Sequence, residues 1–381
     1  MVKRDYYIKR LSKAVKRSSI TAILGPRQCG KTTLARIFTK GRKAYHFDLE
    51  SQPDRFRLQN AELVLGSLSG IVVIDEIQAM PELFAVLRVL VDKPGCRARF
   101  LILGSASPHI VRNVSETLAG RVEFIELAGF DITETGDRSL DKLWSRGCFP
   151  RSFLAKSDDD SMAWRDGFIK TFLERDIPQL GITIPSSAMR RFWMMLAHYH
   201  GQIWNASEIG RSMGLSDKTV RSYLDILTGT FMIRQLQPWH ENIGKRQIKS
   251  PKVYFRDTGL LHNLLGLGNM HSLLAYPRAG ASWEGFIIEQ ALRIMRPAEA
   301  FFWGTHVGNE IDLFFIHKLT GKRYGFEIKF AEAPKVTKSM YTALEDLGLE
   351  HMWVIYPGKH TYPVHEKITV MPVYECRNIR I

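Results

Sequence analysis

Residues 25–32 combine two glycines, a lysine and a threonine at a spacing suited to phosphate binding. The segment reads Gly25, Pro26, Arg27, Gln28, Cys29, Gly30, Lys31 and Thr32, and Thr33 follows it. Glycines let the backbone turn its N–H groups toward phosphate oxygens, and a helix that begins after the loop adds partial positive charge. Lys31 would reach the β- and γ-phosphates, and the Thr32 hydroxyl would bind Mg²⁺. We therefore expect a nucleoside triphosphate to bind at residues 25–33.

Four more polar residues are candidates for chemistry on that nucleotide. Asp75 and Glu76 follow an apolar run, so Asp75 would hold Mg²⁺ and Glu76 would polarise the attacking water. Ser105 ends another apolar run and could sense the γ-phosphate, although a simple helix cap explains it as well. Arg121 could neutralise charge on the phosphates, within the chain or across a subunit contact, and a surface salt bridge is the alternative.

A second group of acids lies in the last hundred residues. Asp312, Glu327 and Lys329 lie in two apolar runs separated by a turn at Gly321. On a strand, residues i and i+2 point to the same face, so a hairpin would bring these side chains together beside a helix that carries Glu284. Carboxylate oxygens suit Mg²⁺, and a lysine can stabilise developing negative charge. The alternative is an ordinary exposed strand face.

The elements that position these residues begin with an alternation of strands and helices. Continuous apolar runs predict five strands, at residues 20–24, 44–49, 71–74, 99–104 and 122–127, with a helix over 33–38 after the phosphate-binding segment. Such runs are typical of a parallel sheet that is covered on both faces. The sequence therefore predicts an α/β unit with a parallel sheet.

The middle of the chain has the pattern of a helix-turn-helix. Asn205 is a helix cap for 208–213, Gly214 makes the turn, and a second helix continues to about residue 227. Lys218 and Arg221 lie near the start of that second helix, where recognition helices contact DNA. A strand at 231–236 and the basic stretch 244–252 would form a wing. Such modules also pack proteins together, so both DNA and protein contact remain open.

Composition and charge restrict the partners. The chain has 381 residues, 53 lysines and arginines against 39 acids, and a net charge of +14. A strongly basic protein is a candidate for nucleic-acid binding, since neutralised phosphates release counterions. Four scattered cysteines favour neither a metal site nor a disulfide framework, and no run is apolar enough for a membrane helix. We expect a cytoplasmic protein with no membrane contact.

Residues 1–135 resemble the AAA-type P-loop ATPases. The phosphate-binding segment, the strand that ends in Asp75-Glu76 and the strand that ends in Ser105 match that family in order and spacing. The resemblance implies that ATP is the nucleotide and that it is hydrolysed with Mg²⁺. Ser105 departs from the Asn that is common at the sensor position. A thiol at Cys29 is expected to react with alkylating agents unless ATP covers it.

The C-terminal residues, roughly 280–381, resemble the PD-(D/E)XK nuclease fold. The matching residues are Glu284 on the helix, Asp312, Glu327 and Lys329, and Glu289 is a rival for the helix acid. The resemblance implies a second Mg²⁺ site, at Glu284, Asp312 and Glu327 with Lys329. It departs from the family where Asn309-Glu310-Ile311-Asp312 stands in place of a leading Pro-Asp. Many nuclease-like domains keep the fold as a binding platform, so cleavage stays open.

Taken together, the chain resembles a prokaryotic family that couples an AAA-type ATPase to a winged helix and a nuclease-like domain. The expected domains are 1–135 (ATPase), 136–185 (helical connector), 186–255 (winged helix) and 256–381 (nuclease-like α/β). The expected function is Mg²⁺-dependent ATP hydrolysis by a protein that acts on or with nucleic acid, DNA above all. The alternatives are an ATP-dependent switch for a protein partner, with a silent nuclease-like domain, and an ATP-gated transcriptional regulator. A homo-oligomer is compatible with each of these functions.

Overall fold

The chain folds into two units, each with its own sheet. The structure is a computed structural model that describes residues 2–105, 117–240 and 248–379. The first unit comprises Met1–Gly129 with Gly229–Phe231, and the second comprises Phe130–Thr228 with Met232–Ile381. No helix within the described ranges is both long and apolar enough to cross a membrane. The finer domain bounds at 135, 185 and 255 stay a prediction.

The first unit contains a parallel five-stranded sheet. Its order is β2-β3-β4-β1-β5, and every neighbouring pair is parallel. The strands are β1 (Ile20–Gly25), β2 (Ala44–Asp48), β3 (Gly70–Asp75), β4 (Ala98–Ser105) and β5 (Val122–Glu126). The helices are α1 (Asp5–Arg17), α2 (Lys31–Thr39), α3 (Gln52–Arg57), α4 (Ala61–Gly66) and α5 (Leu83–Asp92). The predicted parallel sheet is confirmed.

The burial pattern of β1 explains why the sheet forms this way. All six residues of β1 are buried, as are Val72, Val73 and Ile74 of β3. Strands with apolar side chains on both faces need cover on both faces, which the helices of a parallel sheet provide. Since parallel strands end at one edge, Gly25, Asp75 and Ser105 lie at the same edge of the sheet.

The second unit surrounds one nine-stranded sheet. The strands are β6 (Gln202–Ile203), β7 (Ile233–Pro238), β8 (Lys252–Phe255), β9 (Phe301–Gly304), β10 (Glu310–Ile316), β11 (Arg323–Ile328), β12 (His351–Tyr356), β13 (Tyr362–His365) and β14 (Ile368–Pro372). Their order is β13-β14-β12-β11-β10-β9-β7-β8-β6. The predicted hairpin of β10 and β11 is present, with Leu313 opposite Phe326. The predicted boundary at residue 255 lies within this sheet, at the last residue of β8.

The helices of the second unit are mostly short. They are α6 (Ile132–Thr135), α7 (Leu140–Arg146), α8 (Pro150–Phe153), α9 (Asp158–Thr171), α10 (Ile177–Gln179), α11 (Ser186–His198), α12 (Ala206–Met213), α13 (Asp217–Gly229), α14 (Thr258–Leu264), α15 (Met270–Leu274), α16 (Ala279–Met295) and α17 (Lys338–Asp346). Asn205 caps α12 by accepting a hydrogen bond from the Glu208 N–H at 3.3 Å, and Gly214 ends the helix with φ of 69°. The two helices predicted around Gly214 are therefore present.

Candidate functional site

The phosphate-binding segment connects β1 to α2 in a conformation that needs its glycines. A Cβ atom on Gly25 would lie 2.0 Å from the Leu127 carbonyl oxygen, so no larger residue fits there. Gly30 has φ of 100° and Gln28 has φ of 62°, and the value at Gly30 is one that side chains rarely allow. Local sequence thus specifies a tight turn that leads directly into the first helical N–H groups of α2.

Lys31 is folded back over this turn. The residue is buried, and its ammonium group donates hydrogen bonds to the carbonyl oxygens of Gly25 at 3.1 Å and Pro26 at 3.0 Å. The two carbonyl oxygens accept hydrogen bonds from the ammonium group within the loop itself. A phosphate would offer the same ammonium a charged acceptor, which is the stronger type of hydrogen bond.

Thr32 and Asp75 meet at the edge of the sheet. The Thr32 hydroxyl donates to the Asp75 carboxylate at 2.6 Å, and Asp75 is buried at the carboxyl end of β3. Burial raises the pKa of Asp75, while the Thr32 hydrogen bond opposes that shift. A hydroxyl and a carboxylate side by side are hard oxygen ligands of the kind that Mg²⁺ uses. The donor set therefore fits the metal that the nucleotide requires.

Glu76 lies directly after β3 in a left-handed backbone conformation, with φ of 52°. Its carboxylate accepts a hydrogen bond from the Gln78 side chain. Non-glycine residues in this conformation are uncommon and are often found at functional sites. Gln78 was missed by the sequence reasoning, because nothing about a glutamine two residues downstream indicates a partner.

Arg4 is a second residue that the sequence reasoning missed. Its buried guanidinium donates to the carbonyl oxygens of Cys29 at 3.3 Å, Ala128 at 3.1 Å and Gly129 at 3.1 Å. It therefore ties the phosphate-binding segment to the chain that leaves β5. The contact joins residues more than a hundred positions apart, so no local pattern could have revealed it.

The remaining predicted residues of this site are spread along the same edge. Ser105 pairs in register with Gly25 by its backbone, and residues 106–116 after it lie outside the described residues. Arg27 forms a salt bridge of 3.2 Å with Glu50, and Thr33 is exposed in the first turn of α2. The roles predicted for these side chains stay predictions.

Arg121 is placed differently from the expectation. It precedes β5 at the amino-terminal edge of the sheet, opposite the phosphate-binding segment, and its guanidinium binds Asp92 at 2.7 Å. The predicted same-chain role on the phosphates is at odds with this position, because Lys31 lies at the other ends of the strands. The surface salt bridge is the alternative that the structure contains.

The Cys29 thiol also differs from the expectation. It is fully buried, it donates to the Leu127 carbonyl oxygen at 3.3 Å, and burial raises its pKa. Alkylation requires an accessible thiolate. Burial therefore favours a slow reaction of Cys29 in the nucleotide-free protein, in contrast to the ready reaction expected from the sequence.

The acids near the end of the chain come together in the second unit. Asp312 and Glu327 are buried on the neighbouring strands β10 and β11, and the Ile328 N–H donates to Asp312 at 2.8 Å. Lys329 binds Glu327 at 2.6 Å, as their spacing predicted. Burial raises the pKa of Asp312 well above its usual range, and the neighbouring Glu327 adds to that shift.

Lys252 of β8 is a member of this cluster that the sequence reasoning missed. Its buried ammonium contacts Glu284 at 3.3 Å, Asp312 at 3.9 Å and also Glu310. Burial alone would lower the pKa of Lys252, but Tyr254 and the carboxylates raise it well above its usual value. Two of the predicted metal ligands, Glu284 and Asp312, thus contact an ammonium group. Among the described residues, no three His, Cys, Asp or Glu side chains are arranged to hold a metal.

Glu289, the rival for the helix acid, belongs to a different network. It is buried against Arg234, Arg256 and Arg293. Burial opposes its ionisation, yet the guanidinium groups outweigh that effect and lower the pKa of Glu289 to about 2. Glu289 therefore forms ion pairs with these three arginines.

Three family models match consecutive parts of the chain. An AAA domain matches residues 17–136, a Domain of unknown function (DUF8612) matches 137–271, and a Domain of unknown function (DUF4143) matches 279–376. Uncharacterized protein Rv2008c of Mycobacterium tuberculosis and Uncharacterized protein Mb2031c of Mycobacterium bovis are each 49% identical to the chain over 372 residues. These residues cover 98% of this chain and 84% of each relative. The chain belongs to the family of these two proteins.

The chain is also similar to a solved ATPase structure. The Walker-type ATPase PABY2304 of Pyrococcus abyssi has a TM-score of 0.53 and 14% identity, over 70% of this chain and 96% of that one. At this identity the likeness concerns the fold. Together with the AAA match and the geometry around Lys31, it confirms the predicted AAA-type P-loop ATPase domain.

Proposed function

We propose that the chain hydrolyses ATP at the edge of the first sheet and acts with DNA through its second unit. The proposal of ATP hydrolysis rests on the hydrogen bond of 2.6 Å between Thr32 and Asp75, next to the ammonium group of Lys31. These three groups supply a cation for phosphate and hard oxygens for a metal within one turn of backbone.

Each side chain has a distinct part in this proposal. Lys31 would exchange its two carbonyl acceptors for phosphate oxygens, and Thr32 and Asp75 would hold Mg²⁺, which would supply positive charge against the phosphates. Glu76 orients the attacking water and accepts its proton. Gln78 holds the Glu76 carboxylate and so sets the direction in which it points.

The DNA part of the proposal rests on topology and charge. Along the chain the elements follow the order α11-β6-α12-α13-β7-β8, and the three strands pair antiparallel as β6-β8-β7, which is the order of elements in a winged helix. Lys218 and Arg221 are exposed on the first turns of α13. Of the basic stretch 244–252 expected to form the wing, residues 244–247 lie outside the described residues, Lys249 is exposed, and Lys252 is buried as the first residue of β8. The net charge of +14 favours contact with phosphates.

A second candidate function is an ATP-dependent switch whose nuclease-like part is silent. The observation that favours it is the buried Lys252 ammonium among the predicted metal ligands. Among the described residues these carboxylates form no group that could hold a metal ion, so this function involves no cleavage. In such a switch, ATP would control the binding and release of DNA or of a protein, and the C-terminal carboxylates would not react.

Two substitutions test ATP hydrolysis. Lys31→Ala should abolish ATP binding, and Glu76→Gln should leave binding intact while it lowers turnover by about 10²- to 10⁴-fold, the usual contribution of a general base. Binding is measured with a fluorescent ATP analogue and turnover by phosphate release. Lys40→Ala and Glu82→Gln are matched controls, since both residues are exposed elsewhere in the first unit. Unchanged turnover in both test variants would refute the assignment.

A further inference from the structure

Two residues of one strand, Lys252 and Tyr254, bind the carboxylate of Glu284. Lys252 and Tyr254 are two positions apart on β8, so their side chains share a face. The Tyr254 hydroxyl donates to the Glu284 carboxylate at 2.5 Å, and the Lys252 ammonium lies 3.3 Å from the same oxygen. Both residues are buried, Lys252 with 5% of its surface exposed. These contacts with Glu284 therefore lie in the protein interior.

Acidic side chains outnumber cationic ones in the described part of the cluster. Among the described residues, four carboxyl groups, those of Glu284, Glu310, Asp312 and Glu327, lie with two ammonium groups, those of Lys252 and Lys329. One oxygen of Glu327, Oε2, is buried and has no hydrogen-bond partner among the residues that the structure describes. An unpaired buried carboxylate oxygen is costly and attracts a cation. The cluster is therefore a place where cations are stabilised.

The position of Lys252 decides which cation that is. Its ammonium contacts three of the carboxylates at once, and an ammonium group is a compact point charge that can replace a metal ion electrostatically. A divalent ion would need the oxygens that Lys252 now contacts. We propose that Lys252 is a tethered cation that occupies the carboxylate cluster and excludes divalent metal ions from it.

This proposal concerns the second unit alone and stands apart from ATP hydrolysis. It also links the cluster to β8, a strand of the proposed winged helix. Failure of the ATPase tests at Lys31 would leave it untouched, and its own failure would leave ATP hydrolysis untouched.

The test is a titration with Mn²⁺ in the absence of nucleotide, followed by the electron paramagnetic resonance signal of the free ion. The wild type and Lys249→Met, a control at an exposed lysine three positions away, should bind Mn²⁺ equally weakly. Lys252→Met should bind one Mn²⁺ with a dissociation constant at least about tenfold smaller, because an unbalanced carboxylate cluster attracts a divalent ion strongly. Adding Asp312→Asn to Lys252→Met should remove the gain.

Two results would overturn the proposal. One is a Lys252→Met protein that binds Mn²⁺ no better than the wild type. The other is a gain that survives the added Asp312→Asn change, since the ion would then be bound elsewhere.

A measurement on the wild type covers the case in which Lys252→Met does not fold. Lysine acetylation, followed by mass spectrometry, should modify Lys249 rapidly and Lys252 slowly, with and without Mn²⁺. Rapid acetylation of Lys252, or acetylation that Mn²⁺ accelerates, would contradict a lysine that keeps the cluster occupied.

Discussion

At the scale of single residues, the two clusters of charged groups differ in how they are balanced. Around Lys31, the ammonium group is satisfied by neutral carbonyl oxygens that a phosphate can replace. Around Lys252, the ammonium group is held by carboxylates that no neutral partner can match. Lys31 can therefore exchange its acceptors for those of a ligand, whereas Lys252 keeps its carboxylate partners.

The cysteines give a prediction at this scale. Cys29, Cys148 and Cys376 are buried, and burial raises the pKa of Cys148 and of Cys376 to about 12. Alkylation by iodoacetamide at pH 7.5 should therefore reach the partly exposed Cys96 first, with the other three slower by at least about tenfold. Intact-protein mass spectrometry with peptide mapping measures this.

ATP should leave the slow reaction of Cys29 nearly unchanged, because the fold already covers the thiol. The unfolded chain in urea is the control, where all four thiols should react alike. Rapid labelling of Cys29 in the folded protein without ATP would show that the phosphate-binding segment opens.

At the scale of elements, side-chain hydrogen bonds hold the short helix α14 in place. Asp257 caps it through the Leu260 N–H at 2.9 Å and also accepts from the Cys148 N–H at 2.6 Å. His262 contacts the Ser145 carbonyl oxygen at 3.0 Å and the Ser282 hydroxyl at 2.7 Å. A helix of seven residues is marginal alone, so these contacts determine its position.

His262 makes this anchoring dependent on pH. Burial lowers its pKa to about 4 from an ordinary 6.5, so the folded state holds it neutral while the unfolded state takes up a proton below 6.5. Its contribution to stability is therefore fully present above pH 6.5 and is lost as the pH falls toward 4.

The variant His262→Gln isolates this contribution, because glutamine does not titrate. The difference in unfolding free energy between the wild type and the variant should shrink by about 2–3 kcal/mol from pH 7.5 to pH 4.5. Urea unfolding followed by tryptophan fluorescence measures it, since all eight tryptophans lie in the second unit. His198→Gln, at an exposed histidine, is the control and should show no such change. A difference that is constant with pH would contradict the buried neutral imidazole.

At the scale of the whole molecule, the proposed function requires that the two units influence each other. ATP is expected in the first unit, whereas the exposed Lys218 and Arg221 belong to the second. We expect duplex DNA to change the rate of ATP hydrolysis, and phosphate release with and without DNA measures it. The effect should weaken as salt rises, since binding to phosphates releases counterions.

The double variant Lys218→Ala with Arg221→Ala should lose most of the DNA effect and keep its rate without DNA. Its salt dependence of DNA binding should fall by a slope of about 1–2, or roughly 0.9 for each phosphate that is no longer neutralised. Lys156→Ala with Lys170→Ala removes the same charge from exposed positions of the same unit and is the control. Equal losses in both double variants would show that only net charge matters, and α13 would then have no special role.

The sequence by itself determined what local spacing can determine. The five strands of the first sheet, the glycines between Gly25 and Lys31, and the pairing of Glu327 with Lys329 follow from periodicity and short-range sterics. For the same reason the hairpin of β10 and β11 was predictable, because a turn joins its strands directly.

Only the tertiary structure decided the contacts between distant segments. Arg4 beside Cys29, Arg121 at the far edge of the sheet, and Lys252 among the carboxylates depend on which elements become neighbours after folding. Burial decided the rest, since the reactivity of Cys29 and the charge of Asp312 depend on the loss of water around them. Spacing along the chain encodes local geometry, whereas charge pairing and burial arise only when the whole chain has folded.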